Sequence, residues 1–205
     1  LGEMNQAVAS SYNNLGTSYY FKGNNSQALY YHQKALKIRL EVNGKTDPFT
    51  ARSYTNVGVC HGAKGDYNQA LLYYQKSLDI FLKVLDPDHP NLSMTYYDMS
   101  TCYHFNGDFD RSLKYQKKAL SIRLKVFGAN HSLTLDCYDE VGVCYFNMGD
   151  LNQALQHYEK ALEFRLKLFG ENHPSTALSY YNIGGCYARQ EQDEKALEFH
   201  QKALK

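Results

Sequence analysis

Four cysteines, Cys60, Cys102, Cys144 and Cys186, and three histidines, His89, His131 and His173, recur at steps of 42 residues. Thiolates and imidazoles are zinc ligands, but a zinc site needs about four of them within roughly 2.0–2.3 Å of one point. Residues repeated at a long fixed period sit at equivalent places on successive units, on the order of 10 Å apart for packed helices. Neither series therefore predicts a shared metal. The cysteines read as small packing residues and the histidines as helix-end hydrogen-bonding groups. Cys137 stands outside the series, and its pairing stays open. The carboxylates Asp98, Asp139 and Glu140 have the chemistry of an acid/base set. No nucleophile, Gly-rich phosphate loop or metal-ligand motif accompanies them, so the sequence predicts no enzyme and no cofactor.

The same 42-residue step governs the whole chain. Tyr12, Tyr54, Tyr96, Tyr138 and Tyr180 keep it, as do Gly16, Gly58, Gly142 and Gly184, with Ser100 in the third place. Gly23, Gly65, Gly107 and Gly149 follow, then Ala28, Ala70, Ala154 and Ala196, and Leu36, Leu78, Leu120, Leu162 and Leu204. Within the second unit, Ala51, Tyr54, Val57, Gly58 and His61 share one helical stripe, and Ala70, Leu71, Tyr74, Ser77, Leu78 and Phe81 share another. Each unit is thus a helical hairpin that must stack on its neighbours to bury its stripe. The spacing predicts helices over 6–22, 25–42, 48–64, 67–84, 90–106, 109–127, 132–148, 151–169, 174–190 and 193–205. Pro48, Pro90 and Pro174 fit first-turn positions, where a missing N–H costs nothing. Arg39, Arg123 and Arg165 recur late in the second helices, with Phe81 replacing arginine in the second unit. The helix dipole favours cations there, and surface solvation or a local ion pair is the expectation. In the fifth unit Glu191 replaces the turn glycine, which predicts strain and early fraying of the last hairpin.

Composition narrows the classes. A net charge of +1 offers no general attraction to nucleic acid or anionic lipid. No run of about 18 apolar residues is present, so no membrane span is expected. Leu1-Gly2-Glu3-Met4 is neither a signal peptide nor a lipidation motif. Five cysteines without a C-x-x-C pair point to a reducing, cytoplasmic compartment.

The string Ala28-Leu29-Tyr30-Tyr31-His32-Gln33-Lys34-Ala35-Leu36, after Tyr12-Asn13-Asn14-Leu15-Gly16 and Gly23, resembles the tetratricopeptide repeat (TPR). The 42-residue step and the linker Phe169-Gly170-Glu171-Asn172-His173-Pro174 resemble the subclass found in kinesin light chains and nephrocystin-3-like proteins. The resemblance implies an all-α, right-handed α-solenoid of stacked antiparallel helix pairs over 1–205 as a single domain. Its units are approximately 5–46, 47–88, 89–130, 131–172 and a truncated 173–205. Leu1-Gly2 aligns with Asn43-Gly44, and Lys205 falls inside a second helix. An excised stretch of a larger adaptor or regulatory protein is therefore expected.

The resemblance further implies that the first helix of each hairpin lines a concave face that captures a protein or peptide. The candidate binding residues are Asn13, Asn14, Arg52, Asn56, Tyr97, Asp98, Phe105, Asp136, Asp139, Glu140, Phe146, Tyr181, Asn182 and Arg189. An asparagine amide offers both a donor and an acceptor, matching a peptide unit, which singles out Asn14, Asn56 and Asn182. Asp98, Asp136, Asp139 and Glu140 predict a negative middle suited to a partner motif with a basic residue beside a bulky apolar one. The alternative is an architectural spacer or self-association module that stacks through an uncapped end.

Overall fold

The computed structural model describes residues 5–205, so the alignment of Leu1-Gly2 with a linker lies outside the described residues. Among the described residues there are ten helices and no strand: α1 Gln6–Phe21, α2 Asn25–Val42, α3 Pro48–Ala63, α4 Tyr67–Val84, α5 Pro90–Phe105, α6 Phe109–Phe127, α7 Ser132–Met148, α8 Leu151–Phe169, α9 Pro174–Arg189 and α10 Asp193–Ala203. The helical period places every element, with α1, α3, α5 and α9 ending one residue early and α10 two. None of the described helices is long and apolar enough to cross a membrane. The chain divides into two compact units at Asn106/Gly107. In the first, α1 pairs with α2 and α3 with α4, while α2 packs on α3 and α4 on α5. In the second, α7 pairs with α8 and α9 with α10, while α6 packs on α7 and α8 on α9.

Helix ends follow local chemistry. Asn24, Asp66, Asp108 and Asp150 each accept a backbone N–H at the start of a second helix, satisfying a group the helix itself cannot. At the first helices His89, His131 and His173 take the same role through Nδ1, at 3.1–3.2 Å from the N–H of Asn91, Leu133 and Ser175. The histidine period is thus a capping period. The fifth hairpin's turn lacks both a glycine and a side-chain cap. Glu191 holds φ at 60°, where Gly149 holds 87°, and Gln192 makes no side-chain cap.

Within a hairpin, rings lie flat on missing side chains. A Cβ on Gly58 would come 2.8 Å from the Tyr74 ring, and one on Gly142 2.5 Å from Tyr158. His32 and His200 sit likewise against Gly16 and Gly184. Such approach is closer than any larger residue permits. The same burial, followed by the Arg39 charge, pulls the His32 imidazole down to about 4.

Between hairpins the seam is made by the late-helix arginines, which are buried rather than solvated. Arg39 donates to Ser53 Oγ at 2.7 Å and to the Phe49 carbonyl at 3.2 Å. Arg123 donates to the Leu133 carbonyl at 2.7 Å and to Cys137 Sγ at 3.2 Å. Arg165 donates to Ser179 Oγ at 2.7 Å and pairs with Asp139 at 2.5 Å. The expectation of surface solvation is corrected, while that of a local ion pair holds at Arg165: fourteen residues of separation bring each guanidinium under the next first helix, where hydrogen bonds replace its water. Phe81, also buried, makes the one apolar seam among these four positions.

Three outcomes follow from these contacts. Replacing Arg165 by Met leaves the buried Asp139 carboxylate without its cation, an expected loss of about 3–5 kcal/mol in denaturant unfolding; the pair Arg165→Met with Asp139→Leu should recover most of it. Glu191→Gly relieves the positive φ and is expected to add about 1 kcal/mol of protection to α10 amides in hydrogen exchange. The folded state favours neutral His32, so its contribution is intact above the ordinary value of 6.5 and is lost as pH falls towards about 4. His32→Tyr, which copies Tyr74 and Tyr158, should remove up to about 3 kcal/mol of that acid sensitivity in unfolding curves taken across the window.

Candidate functional site

In the first unit two clefts open on the first helices, one between α3 and α5 and one between α1, α3 and α5, each also lined from α4. Successive turns of α5 contribute Met94 to one and Asp98 to the other, because residues four apart share a helix face. The first cleft, about 160 Å3, is lined by Arg52, Thr55, Asn56, Phe81, Asn91, Met94 and Thr95. The second, about 400 Å3, holds Tyr97, Asp98 and Phe105 together with Tyr20, Tyr67, Tyr74, Thr101 and the small residues Gly62 and Ala63. Phe105 is 61% exposed and stacks on Tyr67, with ring centroids 5.1 Å apart and planes 8° from parallel. Five of the expected residues thus gather at these clefts.

The asparagine row behaves unevenly. Asn56 donates to Asn13 Oδ1 at 2.6 Å, tying two neighbouring hairpins together. Asn14 is exposed, and Asn182, in the second unit, is half-buried. The row is therefore not a uniform ladder of open amides.

In the second unit the acids divide by depth. Asp139 is only 7% exposed and its Oδ2 is held by Arg165, whereas Asp136 is exposed and lies 3.7 Å from the same guanidinium. Burial outweighs the Arg165 hydrogen bond and charge, holding the Asp139 carboxyl above its usual range. Glu140 is half-buried, and burial, then the Asp139 and Asp136 charges, raises it too. Asp139 faces the interior seam and not solvent, because Arg165 rises from α8 to meet it. Phe146 and Arg189 come together: Arg189 donates to the Phe146 carbonyl at 2.6 Å and its guanidinium lies 4.9 Å from the ring centroid. Tyr181 is exposed and lines a separate apolar cavity of about 540 Å3 with Leu178, His200 and Leu204.

The cysteines are all buried free thiols. Burial pushes Cys60 and Cys186 up to about 11, and Cys102 and Cys137 up to about 12, so they stay protonated and unreactive near neutrality. Among the described residues, no group of three or more His, Cys, Asp or Glu is placed to hold a metal ion.

Tyr67, Tyr74 and Gly62 were not among the site residues expected from the sequence. The two tyrosines reach the cleft from α4, a second helix. The signal for Gly62 was present: at the 42-residue step its counterparts are Tyr20, His104, Phe146 and Ala188. A glycine in a row that carries three rings marks an opening.

The tetratricopeptide repeat family profile matches residues 7–83, 64–125, 96–167 and 138–205. No curated protein sequence matches the chain. Among solved structures, it is similar to the kinesin-light-chain-type, nearly identical TPR-like repeats of Podosopora anserina, with a TM-score of 0.87, 18% identity, and coverage of 98% of this chain and 95% of that one. BtubC (BKLC) from P. vanneervenii aligns with a TM-score of 0.85, 20% identity, and coverage of 97% and 79%. MamA from Desulfovibrio magneticus RS-1 aligns at 0.70, with 19% identity and coverage of 96% and 93%. At these identities the likeness concerns the fold, the stacked helix pairs of an α-solenoid. Repeats of this kind are generally scaffolds for protein–protein interaction and generally not enzymes. With profile matches running from residue 7 to residue 205, the chain belongs to the tetratricopeptide repeat family.

Proposed function

We propose that residues 1–205 act as one non-catalytic binding module that captures an extended or helical segment of a partner protein along the faces of its first helices. The observation that carries this reading is the pair of clefts, one between α3 and α5, polar where Arg52 and Asn56 stand, and one between α1, α3 and α5, aromatic around Phe105. A few placed polar groups amid aromatic surface are what a peptide-anchoring site requires. The free, protonated thiols fit work in a reducing, cytoplasmic setting. In the second unit Asp136, Glu140, Phe146, Tyr181, Asn182 and Arg189 are proposed as contact residues of that unit, with Asp139 as a buried support. A basic residue beside a bulky apolar one is the partner motif proposed.

A second reading draws on the apolar cavity of Leu178, Tyr181 and Leu204, the last 88% exposed. Exposed apolar area of this kind suits self-association.

Random peptides displayed on phage and selected against the chain separate the two. The binding reading expects complexes that slow amide exchange in α1, α3 and α5. Binders that protect only second helices would overturn it. A sedimentation mass that grows with concentration, abolished by Leu204→Glu while no peptide is recovered, would favour self-association instead.

A further inference from the structure

The larger cleft of the first unit has a chemistry of its own. Its walls are aromatic, from Tyr20, Tyr67, Tyr97 and Phe105, and Asp98 is the charged residue among its lining groups. The Tyr67–Phe105 stack gives one wall a flat, fixed face. Space at the floor comes from Gly62, where an added Cβ would meet nothing closer than 3.9 Å. The volume, about 400 Å3, lies within the range of ligand-sized clefts. The Asp98 charge also reaches neighbouring groups: after burial, it is the next contribution raising the Tyr74 hydroxyl and the Cys102 thiol.

An aromatic face attracts a cation through its ring quadrupole, and a carboxylate beside it adds charge and hydrogen-bond acceptors. An anionic side chain would meet unfavourable ring faces and a like charge. Arg52 stands in the adjoining cleft, where it opposes a second cation and so disfavours a polybasic tract.

Resting on the groove reading above, we infer that the cleft between α1, α3 and α5 receives a single cationic side chain, arginine or lysine, from a partner segment. Tyr20, Tyr97 and Phe105 surround its charged head, Asp98 supplies the counter-charge, and an apolar neighbour in the same segment covers the open face of Phe105.

The test is an NMR titration of the chain with two capped tripeptides, acetyl-Leu-Arg-Leu-amide and acetyl-Leu-Glu-Leu-amide, followed at the amides of Gly62, Tyr97, Asp98 and Thr101. The arginine peptide is expected to shift these resonances and to bind about tenfold more tightly than the glutamate peptide. Asp98→Asn should cancel the preference by removing charge, and Gly62→Leu should cancel it by filling the floor. Asp98→Asn keeps the side-chain shape, so it remains decisive if Gly62→Leu disturbs folding. Equal response to the two peptides, no response to either, or a preference untouched by Asp98→Asn overturns the inference. Phage-selected peptides that protect α1, α3 and α5 yet carry no cation would overturn it while leaving the groove reading standing; binders confined to second helices would remove both.

Discussion

A helical hairpin with one apolar stripe cannot be stable alone, and at three of the four seams here what joins one hairpin to the next is a buried charge, with Phe81 at the fourth. Arg39, Arg123 and Arg165 each leave the end of a second helix and donate to a side chain fourteen residues on: Ser53, Cys137 and Ser179. A guanidinium taken from water demands directed partners. It therefore fixes the orientation of the incoming helix as dispersion contacts alone do not. The faces of α3, α7 and α9 inherit their placement from these bonds, and that of α5 from Phe81. Asp139 shows how far the demand extends, since Arg165 draws it inward to complete the pair.

The fold was nearly all legible from the sequence, for a physical reason. Repetition turns a weak helical period into five parallel readings of the same pattern, so Pro48, Pro90 and Pro174 could be placed at helix starts, where they stand. The capping histidines were legible for the same reason. Side-chain reach was not. Arg165 and Asp139 lie on different helices, and no period on either helix says that one will cover the other. Asn56 looked like an open amide until Asn13, one hairpin earlier, was seen to occupy it. Tyr67 and Tyr74 enter a first-helix cleft from the second helix, a crossing that face assignment alone cannot foresee.

Charge on the first-helix faces is accordingly sparser than the sequence suggests. Asp139 is spent on the seam, and Arg189 is spent on Phe146. In the first unit Arg52 and Asp98 belong to adjoining clefts on successive turns. That sets opposite charges a turn apart along the helices, and charge order of this kind governs the direction in which a chain can lie more than how tightly it is held.

Gly62 shows how a repetitive scaffold acquires individuality. At its place three other hairpins carry Tyr20, His104 and Phe146 and the last carries Ala188, and the glycine leaves open space in the cleft that it lines. The omission leaves the helix, the turn and the 42-residue register unchanged. Identity in such an array is written by erasure: a single codon can open or close a compartment while the surrounding architecture stays the same, so new recognition can arise without any renegotiation of the fold.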